Sequence, residues 1–468
     1  MNQFLKDYTD PKEHKNTFDY NYLIVSNIEN DRLFHAYVQH LADSTKIKYE
    51  IILLDLKRHI LCNQEYSPSH TQQRLIHLLI FPYFFVNALS KVRWKKSKSI
   101  SEIIIDDWYK NSAETFYGRE LIMRLSSNWR TLVVNYQSLA EIELTTFITT
   151  IPAFVRSFFH TNCIMKAYGI DLRRYTYSFY TKILEGRTIE KYYEPKLVIS
   201  GNDNGMSVVK AKAAGADVLL IQNGLRPYWS DSCFKFADYY ISMGTERIIQ
   251  TRTDQGCYFK SCYSLGSLRL YNFLRQSGNI KLALLYDVLW VSTCDLCAYD
   301  STLNGYYLAT DEHKAIRKFN ELVEKNSLRA AYQCRYANET DDLRKLGLFN
   351  EKVTYIERGS KCVYQSVAES SVVFSSWSTV CHEAMAMKKK IGFVNLSGND
   401  YINYPFKELG IEYTGKGNLS PEDFLAGIRG REFDYKNYIK QSTEYVDELI
   451  DIVDRAVKHG DYDIYTDK

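Results

Sequence analysis

Unbroken apolar runs, separated by segments with helical spacing, constrain the fold of this chain more than any other feature. A strand that is apolar at every position, rather than at alternate positions, is typical of a sheet covered by helices on both faces. In the first half of the sequence these runs lie at 20–27, 49–56, 196–201, 217–224 and 237–244. In the second half they lie at 282–293, 327–334, 352–357, 371–376, 390–395 and 410–415. The pattern predicts an α/β protein with parallel sheets.

The segments between many of these runs have the residue spacing of helices. Residues 204–216 carry small and apolar residues at helical intervals and contain a glycine where the helix is expected to stop. In the second half, helices are predicted at 311–326, 361–369, 379–389 and 420–429, with a long amphipathic helix at 436–459. A strand, a helix and a second strand in this order form a βαβ unit. We therefore expect two Rossmann-like domains facing a cleft, with ligands beyond the carboxyl ends of the strands.

The length of 468 residues also predicts more than one domain, because it exceeds what one ordinary hydrophobic core supports. A polar stretch with two glycines, residues 264–281, is interpreted as the linker. The N-terminal domain is accordingly predicted over residues 1–270 and the C-terminal domain over residues 282–468.

Charge and cysteine usage restrict the classes of function. The net charge of +3 provides no overall basic surface for nucleic acid. The pair Cys294-x-x-Cys297 has no second pair and no paired histidines that would complete a zinc site. We therefore expect free thiols, no metal and no nucleic-acid partner. Residues 1–16 have no basic segment followed by an apolar one, so the expected location is cytoplasmic.

Residues 69–160 do not follow the alternation of strands and helices and are predicted to be a helical insertion. Their apolar run at 75–90 is shorter than the roughly 20 residues that cross a membrane. Directly after this run come five basic residues, Lys91, Arg93, Lys95, Lys96 and Lys98. An apolar helix beside a basic cluster and Trp94 is typical of attachment to an anionic membrane surface, which a second run at 147–159 would extend. The alternative is a buried core helix with a solvated basic end.

A turn rich in serine and threonine separates the predicted strand 371–376 from the predicted helix 379–389. The N-terminus of a helix has unpaired N–H groups and a partial positive charge, so it attracts phosphate. Glu383 lies about one turn inside this helix, where its carboxylate could accept hydrogen bonds from the hydroxyls of a ribose. The alternative is that Ser378 is only a helix cap and that Glu383 is solvated or paired with Lys388.

This segment, an apolar strand followed by S-S-x-S-T, a helix with H-E-A and the strand KIGFVN, resembles the donor half of GT-B glycosyltransferases. It is similar in particular to the enzymes of bacterial capsule and lipopolysaccharide synthesis, to teichoic-acid glycerophosphotransferases and to UDP-N-acetylglucosamine 2-epimerases. The resemblance covers about 195–415 and includes the order of GADVLLIQNGLRPYW, FADYYISMGTERI and SLGSLR in the first half. It implies a GT-B fold with a nucleotide-sugar site in the cleft.

The resemblance also assigns donor-binding roles to individual residues. The phosphate contacts that it implies are Ser376, Ser378 and Thr379, and the ribose contact is Glu383. Arg335 precedes Tyr336 where many relatives carry His-Pro, and its fork of N–H donors is suited to phosphate. Arg358 is expected to be a secondary phosphate contact.

On the acceptor side, Asp203 is the carboxylate expected to act as general base, because it follows the strand 196–201 in a turn rich in glycine and asparagine. The alternative is a simple N-cap of the helix that follows. Gln222, Asn223 and Arg226 follow the next strand and are expected to line the same cleft. Asn223 stands where many relatives carry histidine, so a histidine base is not available at that turn. Weaker alternatives for the base are Asp231, Asp238 and Glu246.

The function implied by the resemblance is a metal-independent glycosyltransferase with no resident cofactor. It would move a sugar from a nucleotide-sugar to a saccharide or lipid-linked saccharide of a growing capsule or lipopolysaccharide, at the cytoplasmic face of the membrane. A CDP-polyol phosphotransferase and a nucleotide-sugar 2-epimerase are alternatives with the same fold, and the scarcity of histidine disfavours the epimerase. A degenerate transferase that acts as an assembly partner is the non-enzymatic alternative.

Overall fold

A computed structural model describes most of the chain. The residues that it describes are 25, 27–62, 82–92, 98–108, 113–225, 233–278, 283–293, 296–297, 303–376, 378–396, 406–415 and 419–459, with the backbone alone for 303–310.

The first sheet has six parallel strands in the order β2-β1-β3-β4-β5-β6. Its strands are β1 (Ile103–Asp106), β2 (Thr131–Val134), β3 (Leu197–Ser200), β4 (Asp217–Ile221), β5 (Phe236–Ser242) and β6 (Tyr258–Ser264). The four interior strands β1, β3, β4 and β5 are buried along nearly their whole length, as expected for a sheet covered on both faces.

The second sheet also has six parallel strands, in the order β12-β11-β10-β7-β8-β9. Its strands are β7 (Tyr286–Val291), β8 (Ala330–Gln333), β9 (Val353–Ile356), β10 (Ser370–Ser375), β11 (Lys390–Val394) and β12 (Glu412–Tyr413). The two sheets confirm the predicted α/β class with two Rossmann-like units. Each of the six strands predicted in the second half is present.

Helices connect the strands and cover the sheets. In the first half they are α1 (Arg32–Thr45), α2 (Tyr49–Cys62), α3 (Ala113–Tyr117), α4 (Arg119–Asn128), α5 (Leu144–Tyr168), α6 (Arg173–Tyr193), α7 (Val208–Ala213), α8 (Glu246–Asp254) and α9 (Leu268–Ser277). In the second half they are α10 (Leu303–Asn326), α11 (Glu339–Lys345), α12 (Val363–Ala368), α13 (Thr379–Ala386), α14 (Pro421–Gly430) and α15 (Tyr445–His459). Residues 82–90 are also helical.

Two strand predictions in the first half are wrong. The run at 49–56 is the first part of α2, and of the run at 20–27 the described residues, Val25 and Asn27, are helical. The side chains of Ile51, Ile52, Leu53 and Leu56 in α2 are all buried, so the helix has an apolar run that spacing alone does not separate from a buried strand. The strands that begin the sheet are instead β1 and β2.

Because β1 and β2 lie inside residues 69–160, the prediction of a purely helical insertion there is wrong. Within this segment the helix 82–90 and α5 pack with α1, α2 and α6 in one hydrophobic core, whereas α3 and α4 join the core of the first sheet. The ring of Phe84, in the helix 82–90, stacks on that of Phe154 in α5 with 3.9 Å between centroids. The inward-facing side chains of these helices therefore belong to the hydrophobic core.

The linker predicted at 264–281 is also wrong, because α9 occupies most of it and Leu268 and Tyr271 join the core of the first sheet. The long C-terminal helix is present but begins at Tyr445 rather than at 436. It returns to the first sheet, where Tyr445, Leu449 and Val453 are fully buried in the same core as the strands β1 and β3. The last helix of the described chain therefore packs on the first sheet, although the strands that precede it belong to the second.

Among the described residues, none of the helices combines the length and the apolar character that crossing a membrane requires.

Candidate active site

The turn between β10 and α13 is shaped by its own serine side chains. The Ser375 hydroxyl donates to the Val291 carbonyl at 2.8 Å and accepts from the Ser378 amide at 3.2 Å. The Ser378 hydroxyl accepts from the Val380 amide at 3.2 Å, which makes Ser378 the N-cap of α13. The capping role considered for Ser378 is therefore present. The turn places the N-terminus of α13, which is the positive end of the helix dipole, at the carboxyl edge of the second sheet.

The first domain meets this helix end directly. The backbone amide of Leu225, in the turn that follows β4, donates to the Thr379 hydroxyl at 3.1 Å. The fold therefore brings the Gln222–Leu225 turn, predicted for the acceptor side, against the helix end predicted for the donor side. Arg226, the fourth predicted acceptor-side residue, lies outside the described residues.

Glu383 is buried at the same interface, with 1% of its surface exposed. Its Oε1 accepts hydrogen bonds from the Ser267 hydroxyl at 2.5 Å and the Tyr364 hydroxyl at 2.8 Å, and the Arg269 guanidinium lies 3.6 Å away. Its Oε2 receives no hydrogen bond from the part of the chain that the structure describes. Glu383 is thus neither solvated nor paired with Lys388, and one buried acceptor remains open.

Ser267 and Arg269 are site residues to which sequence reasoning assigned no role. Ser267 caps α9 while it donates to Glu383, and Arg269 donates to the Asn223 carbonyl at 2.9 Å. Both belong to the segment SLGSLR, whose order was noted in the resemblance but whose contacts depend on pairing with distant parts of the chain. The sequence signal for these two residues is the motif SLGSLR itself, which lies at the start of the predicted linker 264–281.

The segment that connects β6 to α9 requires a glycine at position 266. Its φ of +97° is in the region that favours glycine, and a Cβ there would lie 2.4 Å from the Lys440 carbonyl oxygen. The C-terminal segment crosses at this point, where the Ser442 amide donates to the Leu265 carbonyl at 2.9 Å. The close crossing holds Ser267 and Arg269 against the second domain.

Arg335 and Arg358 follow the carboxyl ends of β8 and β9, and both are exposed. In the sheet order, β8 is two strands from β10 and β9 is three strands away. At about 4.8 Å per strand these separations are about 10 Å and about 14 Å, so Arg335 has the shorter reach to a ligand at α13. The Arg335 backbone is fixed by its amide, which donates to Glu339 Oε2 at 2.6 Å.

Asp203 lies in the turn after β3, as predicted, but it is buried, and the cap of α7 is Ser207. The interpretation of Asp203 as the N-cap is therefore wrong. The buried cations Lys235 and Arg252 lie close enough for their pKa values to be raised by the Asp203 carboxylate. Burial nevertheless holds the pKa of Lys235 well below its usual value. Asp203 therefore lies in a buried polar cluster with Lys235 and Arg252.

Gln222 is also buried and has internal partners at both ends of its amide. Its Nε2 donates to the Gly224 carbonyl at 2.9 Å, and its Oε1 accepts from the Met243 amide at 3.0 Å. Gln222 therefore joins the ends of β4 and β5. Asn223 is half-buried and offers its carbonyl to Arg269.

Two other acidic residues of the first sheet, Asp238 and Asp106, have structural partners. Asp238, the weaker alternative base, lies near the amino end of β5 and is paired with Lys212 at 2.9 Å and Lys260 at 2.7 Å. It is at the sheet edge opposite the cleft, so that alternative is wrong. Asp106, in the acidic pair after β1, accepts from the Tyr136 amide at 2.9 Å and the Ser200 hydroxyl at 2.8 Å. Asp231 lies outside the described residues.

His382 is buried beside Glu383, and burial lowers its pKa to about 4 although it has a hydrogen bond with the Tyr438 backbone. The imidazole is therefore neutral near pH 7. Within the described ranges, no group of three or more His, Cys, Asp or Glu side chains is arranged to hold a metal ion.

A buried network lies behind Ser376. Ser376 is 2% exposed, and its Oγ lies 3.1 Å from the Thr293 Oγ1. The Thr293 hydroxyl donates at 2.8 Å to the carboxylate of Glu312, which is fully buried and also accepts from the Trp290 indole N–H at 3.2 Å.

No protein-family model matches this chain, and no curated protein sequence matches it. Among solved structures, it is similar to the UDP-GlcNAc 2-epimerase from Neisseria meningitidis bound to UDP-GlcNAc, with 12% identity, a TM-score of 0.45 and coverage of 75% of this chain and 99% of that one. The UDP-GlcNAc 2-epimerase from Methanocaldococcus jannaschii gives 11% identity and a TM-score of 0.43, with 75% of this chain and 98% of that one covered.

The wall teichoic acid polymerase TagF gives 12% identity and a TM-score of 0.38, with 92% of this chain and 98% of that one covered. Epimerases and teichoic-acid enzymes are among the groups that the sequence motifs resemble.

Proposed function

We propose that this chain is a glycosyltransferase that takes its sugar from a nucleotide-sugar bound between the two domains. The observation that carries the proposal is the buried carboxylate of Glu383, whose Oε2 has no partner among the described residues, one turn inside a helix whose positive end faces the first domain. A buried carboxylate oxygen without a hydrogen bond is costly, and a ligand hydroxyl would satisfy it. A helix N-terminus satisfies phosphate at the same time.

In this proposal each part of the donor has a separate contact. The diphosphate lies at the N-terminus of α13, beside the hydroxyls of Ser376, Ser378 and Thr379. Arg335 extends from the end of β8 towards it and stabilises the charge that develops on the leaving phosphate. Arg358, one strand farther away, is a secondary contact. The helix end and the guanidinium supply this stabilisation, so the proposed reaction uses neither a resident metal nor a cofactor.

The ribose is proposed to bind Glu383 through its hydroxyls. Because Glu383 is buried, a ribose can reach Oε2 only if the structure around the carboxylate opens, and Ser267 of the first domain is one of the side chains that cover it, through Oε1. We therefore expect donor binding to separate the domains slightly or to displace the Ser267 hydroxyl. The acceptor hydroxyl is proposed to lie on the first-domain side, near the turn of Gln222, Asn223 and Arg226, with Asp203 as the base.

The proposed product is a bacterial surface polysaccharide, capsule or lipopolysaccharide, made at the cytoplasmic face of the membrane. Exposed apolar side chains support attachment there. Tyr83, Val86 and Leu89 in the helix 82–90, and Ile148 and Phe159 in α5, are each at least half exposed. We propose that these five residues form an apolar membrane surface. Of the basic cluster at 91–98, Lys91 and Lys98 are paired with Glu185 and Glu194, and Arg93, Lys95 and Lys96 lie outside the described residues. Anionic lipid is the partner that suits both components.

The test is a thermal-shift screen of UDP-, GDP-, CDP-, CMP- and dTDP-sugars, followed by product analysis with the sugar that stabilises the protein most. A ligand at a hundredfold excess over its Kd stabilises by about 2.7 kcal/mol, which is readily measured. Transfer of the sugar to a lipid-linked or oligosaccharide acceptor supports the proposal. Transfer of a polyol phosphate, or epimerisation of the free nucleotide-sugar, replaces it with one of the alternative enzymes. Stabilisation by none of them contradicts it.

A further inference from the structure

A buried chain of hydrogen bonds connects a carboxyl group to the end of α13. Glu312 of α10 is fully buried, and its Oε2 accepts from the Thr293 hydroxyl at 2.8 Å. The Thr293 Oγ1 lies 3.1 Å from the Ser376 Oγ, and either atom can be the donor. Ser376 is two residues before the cap of α13. The chain therefore runs from Glu312 through Thr293 to a residue at the proposed phosphate site.

The direction of this chain depends on one proton, because each hydroxyl has only one to donate. When Glu312 is ionised it can only accept, so Thr293 donates to it and accepts from Ser376. The proton of Ser376 is then used inside the protein, and its lone pairs face an incoming anion. When Glu312 is protonated, it can donate to Thr293, which in turn donates to Ser376. The proton of Ser376 is then free to bind a phosphate oxygen.

We propose that Glu312 is a positioning residue for the donor phosphate, which acts by setting the direction of the chain Glu312–Thr293–Ser376. It does not touch the ligand. The inference rests on the proposed function, because it requires phosphate at the N-terminus of α13. Its consequence is that the protein takes up a proton at Glu312 when the nucleotide-sugar binds, so affinity falls as pH rises.

The surroundings of Glu312 place this change near neutral pH. Burial raises the pKa of Glu312 from 4.5 to about 7, against the opposing hydrogen bonds from Thr293 and Trp290. The other titratable groups that face it are Glu339, Tyr332 and Cys381, and burial raises the pKa of each. Tyr332 and Cys381 therefore stay neutral near pH 7. Glu339 is held by the Tyr332 hydroxyl at 2.7 Å and the Arg335 amide at 2.6 Å, so substitution at position 312 is needed to assign the effect.

The experiment measures the Kd of the nucleotide-sugar selected from the panel above, at about pH 6 and about pH 8, for the natural protein and for Glu312→Gln. The diphosphate of such a probe keeps its charge across this range, so the probe does not titrate. With a pKa near 7, the protonated fraction falls from about nine-tenths to about one-tenth, and the natural protein should bind about tenfold more weakly at the higher pH. Glu312→Gln keeps an acceptor for Trp290 and gains a donor for Thr293. It should therefore bind about equally at both pH values, close to the affinity of the natural protein at pH 6.

A matched pair at Thr293 keeps the test independent of how well Glu312→Gln folds. Thr293→Ser retains the hydroxyl and should retain the pH dependence, whereas Thr293→Val interrupts the chain and should abolish it. Melting curves without ligand confirm that each variant is folded. Binding by the natural protein that is independent of pH, or a pH dependence that persists in Glu312→Gln and Thr293→Val, overturns the inference while the proposed function stands. Absence of binding by the natural protein at both pH values overturns the proposed function, and the inference with it.

Discussion

At the scale of residues, the two oxygens of Glu383 have different surroundings. Oε1 accepts from Ser267 and Tyr364, whereas Oε2 accepts nothing from the described part of the chain. Leaving a buried acceptor unpaired costs about 1–3 kcal/mol. Such a group is explained most simply by a ligand that completes it. The local sequence predicted a carboxylate at this depth of a helix. It could not predict the partners, because Ser267 lies 116 residues away and meets Glu383 only through the packing of the two domains.

Substitution of Asp203 distinguishes a role in catalysis from a role in the stability of the fold. Asp203→Asn should lower the free energy of unfolding, because it removes a carboxylate that opposes the buried charge of Arg252. We expect a loss of about 1–3 kcal/mol, measured by urea unfolding. If Asp203 is also the base, turnover by the folded fraction should fall by about 10²–10⁴.

The control for this prediction is Asp238→Asn, which removes a buried carboxylate paired with Lys212 and Lys260 at the opposite edge of the same sheet. It should lower stability to a similar extent with turnover unchanged. Turnover that stays normal in Asp203→Asn, with an inverted product, would leave Asp203 with the structural role alone.

At the scale of elements, the second half of the chain was predictable because its strands are short apolar runs bounded by turn residues, and all but β11 are followed by a helix in the described chain. In the first half, β3, β4 and β5 were predictable in the same way, but the elements before β3 were not. The first part of α2 contains the consecutive apolar residues 51–54, and so short a window does not distinguish a helix from a buried strand. The strands β1 and β2 have only four residues each and lie between polar segments, which gives them little periodicity.

The segment that connects β6 to α9 yields a prediction about an element. Gly266→Ala should destabilise the protein by two effects, a positive φ and a Cβ 2.4 Å from the Lys440 carbonyl oxygen. Gly278→Ala is the matched control, since Gly278 also has a positive φ, +57°, but a Cβ at that position would have no neighbouring atom within 4 Å. We expect about 1 kcal/mol for Gly278→Ala and clearly more, about 2–4 kcal/mol, for Gly266→Ala, measured by urea unfolding. Equal losses would mean that the C-terminal crossing is not tightly packed.

At the scale of the whole molecule, the two sheets are joined more closely than a linker between residues 264 and 281 would allow. The helix α15 returns to the core of the first sheet, and Ser267, Arg269 and Leu225 contact the second domain. The sequence predicted two units and the helix, but not which unit the helix would join. The apolar stripe of α15 indicates that one face of the helix is covered, but it does not indicate which domain covers that face.

The proposed membrane surface belongs to this scale. Replacing Val86 and Leu89 with serine should reduce binding to vesicles of phosphatidylglycerol and phosphatidylcholine, because both side chains are at least half exposed and would be inserted in the lipid surface. Binding measured by sedimentation should fall by tenfold or more, at about 0.8 kcal/mol for each buried methylene group lost.

The matched control for the membrane test is Met123→Ser, which removes an apolar side chain of similar exposure from α4. It should leave vesicle binding unchanged. Two outcomes would contradict the proposed membrane surface: loss of vesicle binding in both variants, or no vesicle binding by the natural protein at low salt. In either case the helix 82–90 would have only a packing role.

The central claim, that Glu383 binds the ribose of a nucleotide-sugar, is tested most directly by a double-mutant cycle between protein and ligand. The four Kd values are those of the natural protein and of Glu383→Gln, each with the selected nucleotide-sugar and with its 2′-deoxyribose counterpart. A hydrogen bond to a charged group contributes about 1.5–3 kcal/mol, so loss of the ribose hydroxyl should weaken binding to the natural protein by about tenfold or more. The same loss should change binding to Glu383→Gln by less than about threefold, because the hydroxyl has already lost its charged partner. Equal losses for the two proteins would contradict the claim and would place the ribose away from Glu383.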